Sequence, residues 1–165
     1  MGFGESNMAM SIREALRHVK KQLIPKINDA LTHEVYEAAT LAESDAIYGI
    51  VYSTVTSGKY RRRKDNGGLS DPEHMQMVGG KASNCRIEIR NNTPVNPFLN
   101  GVDASGGLSK NTGRLDVIVE SGSGYDFASP GPRPFTQATI EGLRDNRGHI
   151  EAMKDGLIRQ GLNVK

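Results

Sequence analysis

The stretch SIREALRHVKKQLIPKINDALTHEVYEA, Ser11 to Ala38, decides the fold class. Ser11 is a good helix N-cap, and Glu14 three residues on completes a capping box. Apolar residues then fall at Ile12, Ala15, Leu16, Val19, Leu23, Ile27, Ala30, Leu31, Val35 and Ala38. Steps of three and four put them on one stripe of a long helix. The opposite face carries Arg13, Arg17, Lys20, Lys21, Lys26 and Asp29. Pro25 removes a donor and crowds the preceding turn, so a kink or a split is expected there.

Ser44-Asp45 reads as the cap of a second helix from Ala46 to about Val55, with Ile47, Ile50, Val51 and Val55 as its apolar set. Its β-branched residues leave a strand open. Thr56 to Ser83 holds a basic run, Asn-Gly-Gly and Asp-Pro, which are turn and loop signals. Within it Met75 to Gly80 fits a short edge strand. Cys85 to Asn91 alternates Ile87 and Ile89 with charges and predicts a half-buried strand. Asn92 to Gly113 reads as a second long loop. Arg114 to Gly122 predicts another strand, with Leu115, Val117 and Val119 on one face. A final helix is expected from about Thr136 to Gly161, striped by Ile140, Leu143, Ile150, Met153 and Leu157, interrupted by Gly148 and capped by Gly161. The order predicts one α+β domain over residues 1–165: a small antiparallel sheet packed against a long N-terminal helix and a C-terminal helix, with long Gly/Pro-rich loops at 56–83 and 92–113 and a flexible segment at 1–10.

Composition narrows the function. In 165 residues the apolar fraction is 36%, aromatics are 5% and Trp is absent. That is lean for a protein of this size, so part of the chain is expected to be loop or to order against a partner. A net charge of +2 is too small to make nucleic acid the main partner. One cysteine, Cys85, excludes an internal disulfide and fits a reducing compartment. No apolar run reaches the ~18 residues of a membrane helix. Met1-Gly2 with Ser6 has the outline of a myristoylation site, but no polybasic segment follows directly to supply a second anchor.

Catalytic signatures fail one by one. His18, His33, His74 and His149 share no metal-ligand spacing with one another or with Cys85. His33-Glu34 begins like a zinc-protease motif, but Glu37 stands where the second His is needed. Gly79 to Ser83 resembles the end of a phosphate loop, with Met75 and Ala82 at two required positions. Ser121 to Tyr125 lacks a helix directly after it to face a pyrophosphate. Cys85, inside a predicted strand with no base nearby in sequence, reads as a buried structural thiol. No cofactor, no metal and no enzyme activity are expected.

Two segments are left with interaction chemistry. KYRRRK, Lys59 to Lys64, sets Tyr60 among positive charges: either a nucleic-acid clamp using Tyr60 to Lys64, or a loop that meets an acidic protein face. VIVESGSGYDFASPGPRPF, Val117 to Phe135, is stiffened by Pro130, Pro132 and Pro134, and Phe135 can staple it to the domain. It is an arm reaching a neighbouring subunit, or a connector wrapped back on its own core.

The segment from Val117 to Leu162 resembles the C-terminal half of the neck proteins of tailed bacteriophages, also called tail-completion or head–tail joining components. The resemblance lies in Val119-Glu120-Ser121-Gly122, in Pro132-Arg133-Pro134-Phe135 and in the helix through Leu157. Tyr52, Tyr60, Arg61, Arg62, Gly67, Gly68, Leu69 and Asp71 look like the tyrosine–basic–Gly-Gly-Leu segment of some members. The resemblance implies a structural virion protein at the head–tail neck, made in the host bacterial cytoplasm. It implies a homo-oligomeric ring, hexameric or dodecameric. Portal or head-closure proteins lie on one side and a tail tube or tail terminator on the other, with transient contact to phage DNA in the lumen and no membrane. A closed ring needs two different surfaces per copy. The expected interface residues are Tyr60, Arg61, Arg62, Arg63, Gly67, Gly68, Leu69, Tyr125, Phe127, Pro132, Arg133, Pro134 and Phe135.

Overall fold

The computed structural model describes residues 11–53, 66–81, 85–93, 114–122 and 131–165. The fold is the expected mixed α+β arrangement: a long N-terminal helix, a small antiparallel sheet and C-terminal helices.

The long helix comprises α1 (Ile12–Ala30), a π-helical turn (Leu31–Val35), α2 (Tyr36–Ile47) and a second π-helical turn (Tyr48–Tyr52). Ser11 and Glu14 form the capping box: the Glu14 N–H donates to Ser11 Oγ at 3.3 Å, and the Ser11 N–H donates to Glu14 Oε2 at 3.0 Å. Pro25 lies inside α1 without ending it. The departure from α geometry falls at Leu31 instead. There Thr32 Oγ1 donates to the Asn28 carbonyl at 3.0 Å, and His33 Nδ1 lies 2.8 Å from the Asp29 carbonyl oxygen. These side chains serve carbonyls whose ordinary partners are displaced by the wider turn. Ser44 and Asp45 fall in the interior of α2, so the expected second helix start does not exist. Ser44 Oγ donates to the Ser70 carbonyl at 3.2 Å instead.

After a 3-10 turn (Pro72–His74), β1 (Met75–Lys81) and β2 (Arg86–Asn91) form an antiparallel pair with Met75 opposite Asn91 and Lys81 opposite Arg86. A register irregularity falls between Met77 and Gly79. Both strands match the sequence reading, including the one inside the expected 56–83 loop. Cys85 does not: it precedes β2 with φ 46° and is exposed. A hairpin end turns the thiol outward, where a strand interior would have hidden it.

Leu115–Ser121 is a helix, α3, where a strand was expected. The run LDVIVES satisfies both periods, and its β-branched residues favour a strand. Packing decides: Ile118 and Val119 are buried while Val117 is 50% exposed, a pattern of threes and fours rather than alternation. Gly122, with φ 66°, ends the helix in the left-handed conformation. The C-terminal helix is two helices, α4 (Phe135–Asn146) and α5 (Gly148–Arg159), broken at Arg147 with φ 54°. The break falls one residue before the glycine that marked it.

The core joins Ile47, Val51, Leu69, Met75, Val119 and Phe135, with Ala46, Tyr52, Ile89 and Leu115 packed around it. From there α4 packs along α2, and α5 packs along α1 and the first π turn. The expected stripe on α4 and α5 is only partly covered, with Ile140 and Ile150 exposed. The closest approach uses Gly156. A Cβ there would lie 2.5 Å from Ala30 Cβ and 2.9 Å from Ala30 Cα. Beside it Gln160 and Lys26 exchange side-chain-to-carbonyl hydrogen bonds of 2.8 and 2.7 Å. Arg159 pairs with Glu34 and Asp29, and this bridge holds the Glu34 carboxyl below its usual range. Gly156→Ala should cost about 1–3 kcal/mol despite alanine's better helix propensity, because backbone must move to admit the methyl. Urea denaturation measures this, and an unchanged midpoint would show that α5 does not need the close contact.

Candidate assembly surface

The polar centre of the molecule is Asn91. Its Nδ2 donates to the Leu69 carbonyl at 2.8 Å and to Glu43 Oε1 at 3.0 Å. Its Oδ1 accepts from the Thr93 N–H at 3.1 Å and from Thr93 Oγ1 at 2.6 Å. Thr93 is fully buried and also reaches the Gly68 carbonyl at 3.3 Å. One side chain thus binds the long helix, the 66–71 turn and the end of β2 together.

Asp71 shapes that turn. Its Oδ2 accepts from the Gly67 N–H at 2.6 Å and its Oδ1 from the Glu73 N–H at 3.0 Å, while Gly67 takes φ 74°. Burial alone would raise the Asp71 pKa; the two N–H donors and nearby His74 outweigh it and hold the carboxyl below its ordinary value. Tyr52 Oη accepts from the Ser70 N–H at 3.3 Å, and Tyr36 Oη donates to the Met75 carbonyl. Burial pushes the Tyr52 phenol up, opposed by its hydrogen bonds at Ser70.

Three chain segments leave and return here. Val51, just before the first, packs with Leu69, just after it. The second is closed by the Leu115 N–H, which donates to the Thr93 carbonyl at 3.0 Å. The third is closed more tightly still: a Cβ on Gly122 would lie 2.3 Å from Pro132 N, so only glycine fits. The Arg133 N–H donates to the Val119 carbonyl at 3.1 Å, and Glu120 Oε1 accepts the Thr136 N–H at 2.6 Å, capping α4 from α3. All three closures lie around the C-terminal end of the long helix.

The expected interface residues divide accordingly. Tyr60, Arg61, Arg62, Arg63, Tyr125 and Phe127 lie outside the described residues. Gly68, Leu69, Arg133 and Phe135 are buried within their own chain, and Arg133 Nη1 donates to the Val51 carbonyl at 3.4 Å. Gly67 is half-buried, and Pro132 and Pro134 are exposed. The described end of the proline segment, residues 131–135, is therefore pinned to its own core. Asn91, Thr93 and Glu43, which organise the site, were missed; an Asn at a strand end followed by Asn-Thr was the available signal.

The opposite end of the long helix exposes apolar side chains. Ile12 is 82% exposed, and Leu16, Val19 and Leu23 are also exposed. Among the described residues no three of His, Cys, Asp and Glu are grouped to hold a metal ion, and no helix is long and apolar enough to cross a membrane.

A mixed α+β chain whose core and polar centre lie at one end of a long amphipathic helix is the kind of protein these features define. The chain belongs to the YomN family, which matches residues 15–159. That family name derives from a Bacillus phage and points to a phage protein. No curated protein and no solved structure matches the chain.

Glu43 gives a pH test of the polar centre. Burial raises its pKa; the Asn91 bond lowers it, and the Asp116 and Glu120 carboxylates raise it further. A raised folded-state pKa means that stability is fully present below the unfolded value and is lost as pH rises through the folded one. Glu43→Gln keeps the oxygen that accepts from Asn91 and removes the charge. It should raise the urea midpoint at neutral pH and converge with the parent in acid. Equal midpoints at neutral pH would count against a buried charge. Asn91→Ala should cost about 2–3 kcal/mol, since Leu69, Thr93 and Glu43 lose a shared partner. A loss under about 0.5 kcal/mol, within the range of ordinary surface changes, would remove Asn91 from this role.

Proposed function

We propose that the protein is a structural component of a tailed-phage virion, a head–tail junction subunit of the neck or tail-completion type. It acts by mechanical joining and not by turnover. Copies assemble into a ring, hexameric or dodecameric, between portal or head-closure proteins and the tail tube or tail terminator, and DNA passes through the lumen. Tyr60, Arg61, Arg62 and Arg63 belong to the subunit and partner interface, and DNA in the lumen is contacted only transiently.

One observation carries the reading. The two ends of the long helix offer different chemistry: closures of three connecting segments at one, an uncovered apolar stripe at the other. Ring assembly requires unlike surfaces on each copy. The phage-derived family name and the resemblance of the Val119–Gly122 and Pro132–Phe135 elements to neck proteins support the same reading.

Light scattering of the purified chain, alone and mixed with portal or tail-tube protein, is the test. Closed oligomers, or oligomers formed on contact with either protein, are expected, together with the chain's presence in purified virions by mass spectrometry. A chain that stays monomeric, binds neither protein and is missing from virions would overturn the proposal.

A further inference from the structure

The charges of the long helix are segregated along its length. Residues 12–26 carry Arg13, Arg17, Lys20, Lys21 and Lys26 against one acid, Glu14. Residues 27–53 carry Asp29, Glu34, Glu37, Glu43 and Asp45 and no Lys or Arg. Each half also shows an exposed apolar feature on one side. On α1, Ile12, Leu16, Val19 and Leu23 follow four-three-four spacing, the pattern of a coiled-coil seam. At about 100° per residue Arg13 and Lys20 border that seam on one flank. On α2, Glu37, Leu41 and Asp45 recur every fourth residue, all exposed, with Leu41 at 55%. Neither Glu37 nor Asp45, nor any of Arg13, Arg17, Lys20 and Lys21, forms an ion pair among the described residues.

We propose that the first turns of α1 in one copy dock along the Glu37–Leu41–Asp45 face of α2 in the next copy. The occupant is a second copy because the two faces match in both terms: apolar seam to Leu41, basic flank to Glu37 and Asp45. Pairing of two α1 seams with each other is disfavoured. It would gather eight cations with no acid except Glu14, which is already engaged with Ser11. Donor and acceptor faces lie at different positions on one helix, and in the ring reading the contact runs head to tail from copy to copy rather than closing reciprocally between two antiparallel copies. This deepens the ring reading by naming its inter-subunit contact, and it leaves the end that carries the Asn91 centre to other partners.

The full chain carrying Leu16→Cys and Leu41→Cys, with Cys85→Ala to remove the exposed thiol, tests the contact directly. The two positions are separated by about 37 Å of helix, so a disulfide between them forms only between copies. Oxidation should yield a ladder of covalent oligomers, while either cysteine alone yields none beyond a dimer. In parallel, Arg13→Glu with Lys20→Glu, and separately Glu37→Lys with Asp45→Lys, should each weaken self-association about tenfold or more, and the combined variant should recover it. Circular dichroism confirms folding, since all the altered side chains are exposed. Three results overturn the contact: oligomers that form with no ladder, charge reversals without mutual rescue, or a chain that stays monomeric but binds phosphatidylglycerol vesicles, which makes lipid the occupant of the seam. Each of these leaves the virion and portal-binding measurements to judge the neck reading separately.

Discussion

The carboxamide of Asn91 holds together parts of the chain that are far apart in sequence. Its four hydrogen bonds reach Glu43 on the long helix, Leu69 in the turn and Thr93 at the end of β2. An amide with two donors and an acceptor oxygen with two lone pairs is saturated by this set. Loss of any one partner leaves a buried polar group exposed to the cost of an unmade bond, so the arrangement is all-or-none. It adds a polar tie to the packing of Met75 and Ile89 that seats the two-stranded sheet on the helix, and an isolated hairpin is marginal in water.

Around that polar knot the apolar cluster has six buried members among the described residues, Phe135 one of them. A core of this size suits a lean composition. It stabilises one end of the long helix and leaves the first turns to project. The C-terminal helices add a second contact where Gly156 crosses Ala30, and there proximity rather than side-chain volume supplies the packing. Stability is therefore concentrated at two points on one helix.

The proline-rich segment shows how local stiffness and tertiary fixing work together. Pro132 and Pro134 restrict the backbone, and Phe135 anchors it at zero exposure in the core. Gly122 lets the two ends touch.

Much of this was legible in the sequence. Ser11 with Glu14, the three-four apolar spacing, the alternation of Arg86–Asn91 and the turn chemistry near Gly67–Asp71 are local signals whose physics acts over a few residues, and each appears in the structure as read. The segregation of charge along the long helix is likewise written in the order of residues 12–53. Tertiary structure alone decided the rest. Leu115–Ser121 carries both periods, and only burial of Ile118 and Val119 against the core chose helix. Ser44-Asp45 has the form of a cap, yet the chain stays helical through it because α2 packs on α4 along its length. Beyond neighbouring Thr93, Asn91 and Gly156 matter through partners 22 to 126 positions away in the chain, Leu69 and Ala30 at the extremes. A local pattern cannot reveal such a pair, because the energy that selects it exists only once the elements have met.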